Sequence, residues 1–411
     1  MKPFFHVQTL AEVQARMADL APLAAEAVPL AAAGGRTLAA DVTAPRDLPG
    51  FARATMDGYA VRGRDTFGAG ETAPGFVTLA GEVVMGQAPT LVLAPGQCAR
   101  IGTGGMLPAG ADAVIPVEHT RPMDERTVEL TRAVAPGANV LGPRDEAAAG
   151  QVMLARGARL RPQDVGLLAV LGVARPQVVQ RPRAAIVSTG DEVVPVGAEP
   201  APGQVRDVNT YTLQTLVREA GGEPVVLGLV GDDPARLRAA VDEARAACDL
   251  TLLSGGSSVG QRDLTAEVFL GCPGAELLVH GVAVAPGKPF IWARAGARQL
   301  LGLPGQVASC LVAFHLFVEP MIERLLGREA RSFTRFGTVA ARLARNLPKA
   351  PGREEYVRVR LGRDFAGVVA EPVFGKSGLL ATLIQGHGLV RVPLEREGLD
   401  QGETVTVLVF P

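Results

Sequence analysis

DLTLLSGGSSVGQRD, Asp249 to Asp263, passes from a run that reads as a buried strand into a segment rich in glycine and serine, where Val259 is the only apolar side chain after Leu253. A chain that leaves a strand in this way offers bare backbone N–H groups, and an acid, Asp263, stands where the next helical pattern begins. Two other strand-like runs end similarly: Val187 to Glu192 reads VSTGDE and Gly302 to Gln306 reads GLPGQ. In an open parallel sheet, loops at the carboxyl ends of strands form the ligand crevice. Glycine lets the backbone approach an anion closely, and N–H groups ahead of a helix hold it. The three loops together predict an anion cradle drawn from Ser188, Thr189, Gly190, Asp191, Ser254, Gly255, Gly256, Ser257, Ser258, Gly260, Pro304 and Gly305.

Acids in the same loops refine this. Glu192 follows the first strand, Asp232 and Asp233 follow LGLV, and Asp263 follows the glycine-serine run. Carboxylates beside phosphate repel it unless a hard cation holds both through oxygen, which points to Mg²⁺ between Asp232, Asp263 and the anion. Asp233 precedes Pro234 and has a competing role as a helix N-cap.

Around these loops the pattern alternates. RAAIVSTG, PVVLGLV, DLTLL, FIWARA and QLLGLPG are strand-like; NTYTLQTLVREAGG, DDPARLRAAVDEARAAC, DLTAEVFL and VASCLVAFHLFVEPMIERLLG are helical. Near-continuous apolar strands between amphipathic helices predict a doubly wound, mostly parallel sheet covered on both faces. Asn209 or Thr210 is expected to cap its helix, Gly221-Gly222 to end it, and His315 to pack inside the long apolar helix. Residues 9 to 40 read as helices, 44 to 141 as a β-rich region, and EEYVRVRL, AGVVAEPVF, GLVRVPLE and ETVTVLVF alternate at period two, as in a small β-barrel or sandwich. The fold class is therefore α/β and multidomain.

Composition excludes several classes. Lys+Arg 41 against Asp+Glu 42 leaves a net charge of -1, so no sequence-wide field attracts nucleic acid or an anionic membrane. No apolar run is long enough to span a bilayer. The N-terminal twenty residues carry acids, Gln and Arg that spoil a signal-peptide core. Cys98, Cys248, Cys272 and Cys310 are widely spaced, without a zinc or disulfide pattern, which fits a reduced cytoplasmic setting. His6, His119, His280, His315 and His387 show no metal-ligand spacing, and there is no complete P-loop or nucleophile elbow. The lysines are Lys2, Lys288, Lys349 and Lys376; elsewhere this chain uses Arg, so Lys288 in PGKP and Lys376 in GKSG stand out. Read alone, Asp57-Gly58 is a turn dipeptide and Thr103 a loop residue.

In order along the chain, LPGFARATMDGYAVRG, ARIGTGGMLPAGADAVIPVEH, VSTGDEVV, DDPARLRAA, LSGGSSVGQRDLT, PGKPF, GLPG, PGREEYVRV and GKSG closely resemble the molybdopterin molybdenumtransferase family, which includes MoeA in bacteria and the gephyrin E domain in animals. The resemblance implies a four-domain homodimer: domain I over 1–43 and 142–178, β-rich domain II over 44–141, α/β molybdopterin-binding domain III over 179–330, and a C-terminal β-barrel over 331–411. It implies insertion of molybdate into adenylylated molybdopterin with release of AMP and use of Mg²⁺, and other proteins of molybdenum-cofactor biosynthesis as further partners. Carried over by position, it assigns catalytic roles to Asp57, Thr103, Glu192, Asp232, Asp263 and Lys288, and substrate contacts to Arg353 and Ser377. Asp57 and Thr103 would reach the α/β site of the other subunit. The chain departs from the family at Gln306-Val307, where Asn-Pro is usual, and at Ala285, Gln261-Arg262 and Gly142 to Glu146. The alternatives are a tungstate-preferring transferase, an adenylyltransferase that makes the adenylylated pterin, or a non-catalytic scaffold on the same fold.

Overall fold

A computed structural model describes residues 7–255, 261–376 and 378–411; at 261–263 it describes the backbone of a helix and not the side chains. Gly256, Ser257, Ser258, Gly260 and Ser377, and the Asp263 side chain, lie outside the described residues. Contacts divide the chain into two compact units, one of Met1–Ala39, Gly157–Pro162 and Arg175–Pro411, the other of Ala40–Arg156 and Gln163–Ala174.

The first unit is built on a six-stranded sheet in the order Glu223–Val230, Arg183–Thr189, Leu250–Ser254, Arg298–Leu303, Ile291–Ala295, Ala275–His280. The first four strands are parallel and the last two join antiparallel. Alternation across the pleat explains why Leu250–Ser254 is buried throughout. Leu252 joins Ile186, Leu213, Val217, Leu301 and Phe317 in one cluster, while Leu253 joins Leu237, Val241, Phe269 and Leu300 in another. Both faces are thus covered by helices.

Local chemistry sets the helix ends. Asp233 accepts a hydrogen bond from the Arg236 N–H at 2.8 Å, and Pro234 opens the helix Pro234–Ala247. Gly221 ends Asn209–Ala220 in the left-handed region at φ 97°. Neither Asn209 nor Thr210 caps that helix: the cap position is Val208, and the Asp207 carboxylate takes the Thr210 N–H at 3.1 Å. The long apolar helix begins as Val307–Ala313, widens to a π turn over Phe314–Val318, and resumes as Glu319–Leu325, next to Pro320, which has no N–H to give the ladder. His315 is buried there, its Nδ1 2.8 Å from Glu319 Oε2.

The C-terminal strands close on themselves. Glu354–Asp364 pairs Gly367–Pro372, which pairs Gly337–Leu343, which pairs Thr404–Val409, which pairs Gly388–Val392, which returns to Glu354–Asp364. Leu343, Val359, Val390 and Val407 fill the ring. Val284–Ala285 adds to it in parallel beside Glu354–Glu355.

A further expectation fails. Only Leu10–Arg16 of the stretch read as helices is an α-helix; Ala25–Ala27 is a strand paired with Gln177–Val179, and Leu30–Ala32 is a single 3-10 turn. Pro22 and Pro29 interrupt the helical ladder, and pairing to a distant strand overrides the helix propensity of its alanines.

The second unit holds a six-stranded sheet ordered Ala113–Pro116, Gly58–Val61, Gln97–Ile101, Gly75–Glu82, Thr127–Leu130, Thr120–Pro122. Among the described residues no helix is long and apolar enough to cross a membrane.

Candidate functional site

Strands Arg183–Thr189, Leu250–Ser254 and Arg298–Leu303 run parallel and end at one sheet edge. There a cleft of about 540 Å³ is lined by Ser188, Thr189, Glu192, Asp207, Asn209, Ser254, Gly255, Gly305, Gln306 and Val307, with Gly378 and Leu380 from the C-terminal segment. It brings together residues from all three glycine loops.

Hydrogen bonds tie these loops to one another. The Thr189 hydroxyl donates to Asp232 Oδ1 at 2.7 Å, the Asp191 N–H lies 3.4 Å from Asp232 Oδ2, and the Asp232 N–H donates to Asp191 Oδ1 at 3.0 Å. Asp232 is thereby oriented by the first loop, with its carboxylate half-buried. Gly255 sits at φ 126°, and a Cβ there would lie 2.0 Å from the Thr189 carbonyl oxygen, so only glycine lets the glycine-serine loop cross the first strand's end. Behind it, Asn209 Nδ2 donates to Ser254 Oγ at 2.7 Å and to the Gly305 carbonyl at 2.8 Å. Cys310 lies 3.9 Å from Ser254 Oγ, and burial pushes its thiol up to about 12, so it serves as packing rather than as a nucleophile.

The remaining predicted residues of this unit are placed less directly. Pro304 is buried below the cleft, and Lys288 is exposed in the loop after Val284–Ala285, not among the cleft-lining side chains. Arg353 is engaged by Glu355, with Nε and Nη2 at 2.8 and 2.7 Å from Oε1. Asp263 occupies the first turn of Gln261–Leu270. Among the described residues no three His, Cys, Asp or Glu side chains converge as a metal cluster.

Sequence reasoning missed Asp207, Asn209 and Arg358. Arg358 donates from Nη1 to the Thr382 hydroxyl and from Nη2 to the Gly375 carbonyl, both at 2.5 Å, and so braces the segment that carries Lys376. Burial lowers its pKa, and it forms no ion pair among the described residues. Its signal was the second arginine of REEYVR, which reads as an ordinary strand position until the loop folds over it.

The second unit supplies its own constellation. Gly58 pairs with Ile101, which brings Asp57, just before one strand, up to Thr103, just after the other. On its other side, a Cβ at Gly58 would lie 2.0 Å from the Ile115 carbonyl oxygen, so the strand lies against Ala113–Pro116 only with glycine here. Asp57 Oδ1 accepts both the Thr103 N–H and the Thr103 hydroxyl at 2.7 Å. The backbone bond first, and then the hydroxyl, hold the Asp57 carboxyl below the usual carboxylate range. Both residues are exposed, beside the exposed side chains of Met56 and Met85.

Comparison with known proteins covers nearly the entire chain. Residues 8–172 match the MoeA N-terminal region (domain I and II), 185–324 a probable molybdopterin binding domain, and 340–410 the MoeA C-terminal region (domain IV). The molybdopterin molybdenumtransferase of a Nostoc species is 35% identical over 94% of this chain and 89% of its own length, and that of Bacillus subtilis 33% identical over 91% and 87%. Among solved structures, a molybdopterin biosynthesis MoeA protein from Pyrococcus horikoshii is 35% identical, with a TM-score of 0.82 over 98% of this chain and 99% of that one. The chain belongs to the molybdopterin molybdenumtransferase family.

Proposed function

We propose that this chain inserts molybdenum from molybdate into the dithiolene of adenylylated molybdopterin and releases AMP. The observation that carries the proposal is the cleft itself, an anion-suited crevice at the carboxyl ends of parallel strands, in a chain whose relatives bear the transferase name. The nucleotide-linked pterin lies with its phosphates toward Gly255 and the amino end of the Val307 helix. The oxygen donors available fit a hard cation: Asp232, oriented by Thr189, and Asp263 would hold Mg²⁺, which would polarise the phosphoryl oxygens. Glu192 stands at the cleft wall, and Lys288 and Lys376, which follows the Gly375 held by Arg358, provide for the oxyanion.

Asp57 and Thr103 complete the reading as a shared site, contributed by the second subunit of a homodimer. Four free buried cysteines accord with a reducing, cytoplasmic compartment. The test is incubation of the purified protein with adenylylated molybdopterin, Mg²⁺ and molybdate. AMP release in step with loading of the pterin is the expected result, and no AMP above the protein-free control overturns it. Parallel reactions with tungstate decide the oxyanion, and light scattering at micromolar concentration decides the dimer.

A further inference from the structure

Another cavity, of about 280 Å³, shares Val307 and Leu380 with the cleft. Its walls are largely apolar, with Leu216, Leu311, Phe336, Leu383, Ile384 and Phe410 among them. The proposed function makes no use of it. His315 also lines it, from the π turn Phe314–Val318, a local widening often found at functional sites. The residue is only 7% exposed, and its ring is fixed from several directions. It stacks on Phe333 with centroids 5.3 Å apart, meets Phe336 edge-on at 4.8 Å, and is bonded through Nδ1 to Glu319 Oε2 at 2.8 Å. Glu319 also accepts the Phe333 N–H at 3.0 Å, the Thr334 N–H at 3.1 Å and the Thr334 hydroxyl. Burial opposes its charge, but the bonds from His315 and Thr334 hold its carboxyl below the ordinary range. A carboxylate only accepts, so His315 Nδ1 carries a proton. The other ring nitrogen, Nε2, has no hydrogen-bond partner among the described residues, yet it is not sealed from solvent. A buried ring thus presents one unpaired polar atom to an apolar cavity.

The group that satisfies Nε2 is constrained. The nitrogen accepts when the ring is neutral and donates when it is charged, and a hydroxyl serves in both cases. The other ionisable side chains of the lining, Glu219 and Arg335, are opposite in sign, and neither forms an ion pair among the described residues. The cavity therefore selects neither an anion nor a cation. Phe314, Phe336 and Phe410 offer faces and edges to an aromatic ring. We propose that this cavity binds an uncharged aromatic molecule carrying a hydroxyl, with its ring among the phenylalanines and its hydroxyl on His315 Nε2. A site built to hydrogen-bond a hydroxyl discriminates against the analogue that lacks it. Because Val307 and Leu380 belong to both sites, the occupant touches two walls of the anion cleft. The cavity does not depend on how that cleft is read.

The test titrates the full chain, without nucleotide, with 2-naphthol, 2-methylnaphthalene and 2-naphthoate, followed by ligand-observed NMR. The wild type is expected to bind 2-naphthol saturably and about tenfold more tightly than 2-methylnaphthalene, the effect of one hydrogen bond of ordinary net strength. The charged 2-naphthoate should bind more weakly than 2-naphthol. His315→Phe removes Nε2 and should erase the difference between 2-naphthol and 2-methylnaphthalene. Ile384→Asp, at a wall position that is 77% exposed and so tolerant of the change, should weaken both. No saturable binding of 2-naphthol, equal affinity for its methyl analogue, or tighter binding of 2-naphthoate overturns the proposal. So does a His315→Phe protein that keeps the preference, or an Ile384→Asp protein that binds 2-naphthol as the wild type does. Should His315→Phe fail to fold, the wild-type ratio and Ile384→Asp decide.

Discussion

The Thr189 hydroxyl donates to Asp232 Oδ1 at 2.7 Å, joining the ends of two parallel strands through a side chain that is itself a candidate metal ligand. Orientation of such a carboxylate by a neighbouring donor fixes which lone pairs remain for a cation.

Replacing Asp232 by Asn keeps an acceptor for Thr189 but removes the charge. We expect kcat/KM to fall by roughly 100-fold, with the melting temperature within a few degrees of the wild type. Steady-state AMP release against Mg²⁺ concentration checks this; an unchanged Mg²⁺ dependence would remove Asp232 from the metal site.

Gly255→Ala places a methyl group 2.0 Å from the Thr189 carbonyl at a positive φ. The backbone must shift, costing about 2 kcal/mol or more. Urea denaturation reads the loss of stability; a midpoint equal to the wild type would show that the two strand ends are not held together as described.

Asp57 titrates below the ordinary carboxylate range because Thr103 donates twice to it. The sign follows: its contribution to stability is present above the unfolded-state pKa and is lost as pH falls through the lowered folded-state value. Thr103→Val removes the hydroxyl but keeps the N–H, so the Asp57 carboxyl should move part of the way back up, as followed by carbon NMR of the side-chain carboxyl. No movement would mean that the hydroxyl does not reach it.

Arg358→Ala frees the Gly375 carbonyl and the Thr382 hydroxyl, whereas Arg353→Ala breaks an ion pair with Glu355. Misplacing the Gly375 segment should lower kcat/KM by roughly 100-fold, and the Arg353 change should cost less. The reverse order in AMP-release assays would return the substrate role to Arg353.

The strands were legible wherever burial on both faces left an unbroken apolar run, as at Arg183–Thr189 and Leu250–Ser254. Ala25–Ala27 was not, because alanine at helical spacing carries no sign of a partner strand about 150 residues away. Asp233 could be read as a cap since its target lies three residues on, while Asp207 and Asn209 could not, since their roles depend on Ser188, Ser254 and Gly305 arriving from other loops. The Asp57 and Thr103 pair shows the same limit. Each alone is a turn or loop residue, and only the register Gly58 to Ile101 sets them against each other.

Because the C-terminal strands return to Glu354–Asp364, the barrel exposes almost no unpaired ladder to a stray chain, and the short Val284–Ala285 run covers part of what remains. Its rim segments can therefore lengthen, shorten or change charge during divergence without creating a sticky border.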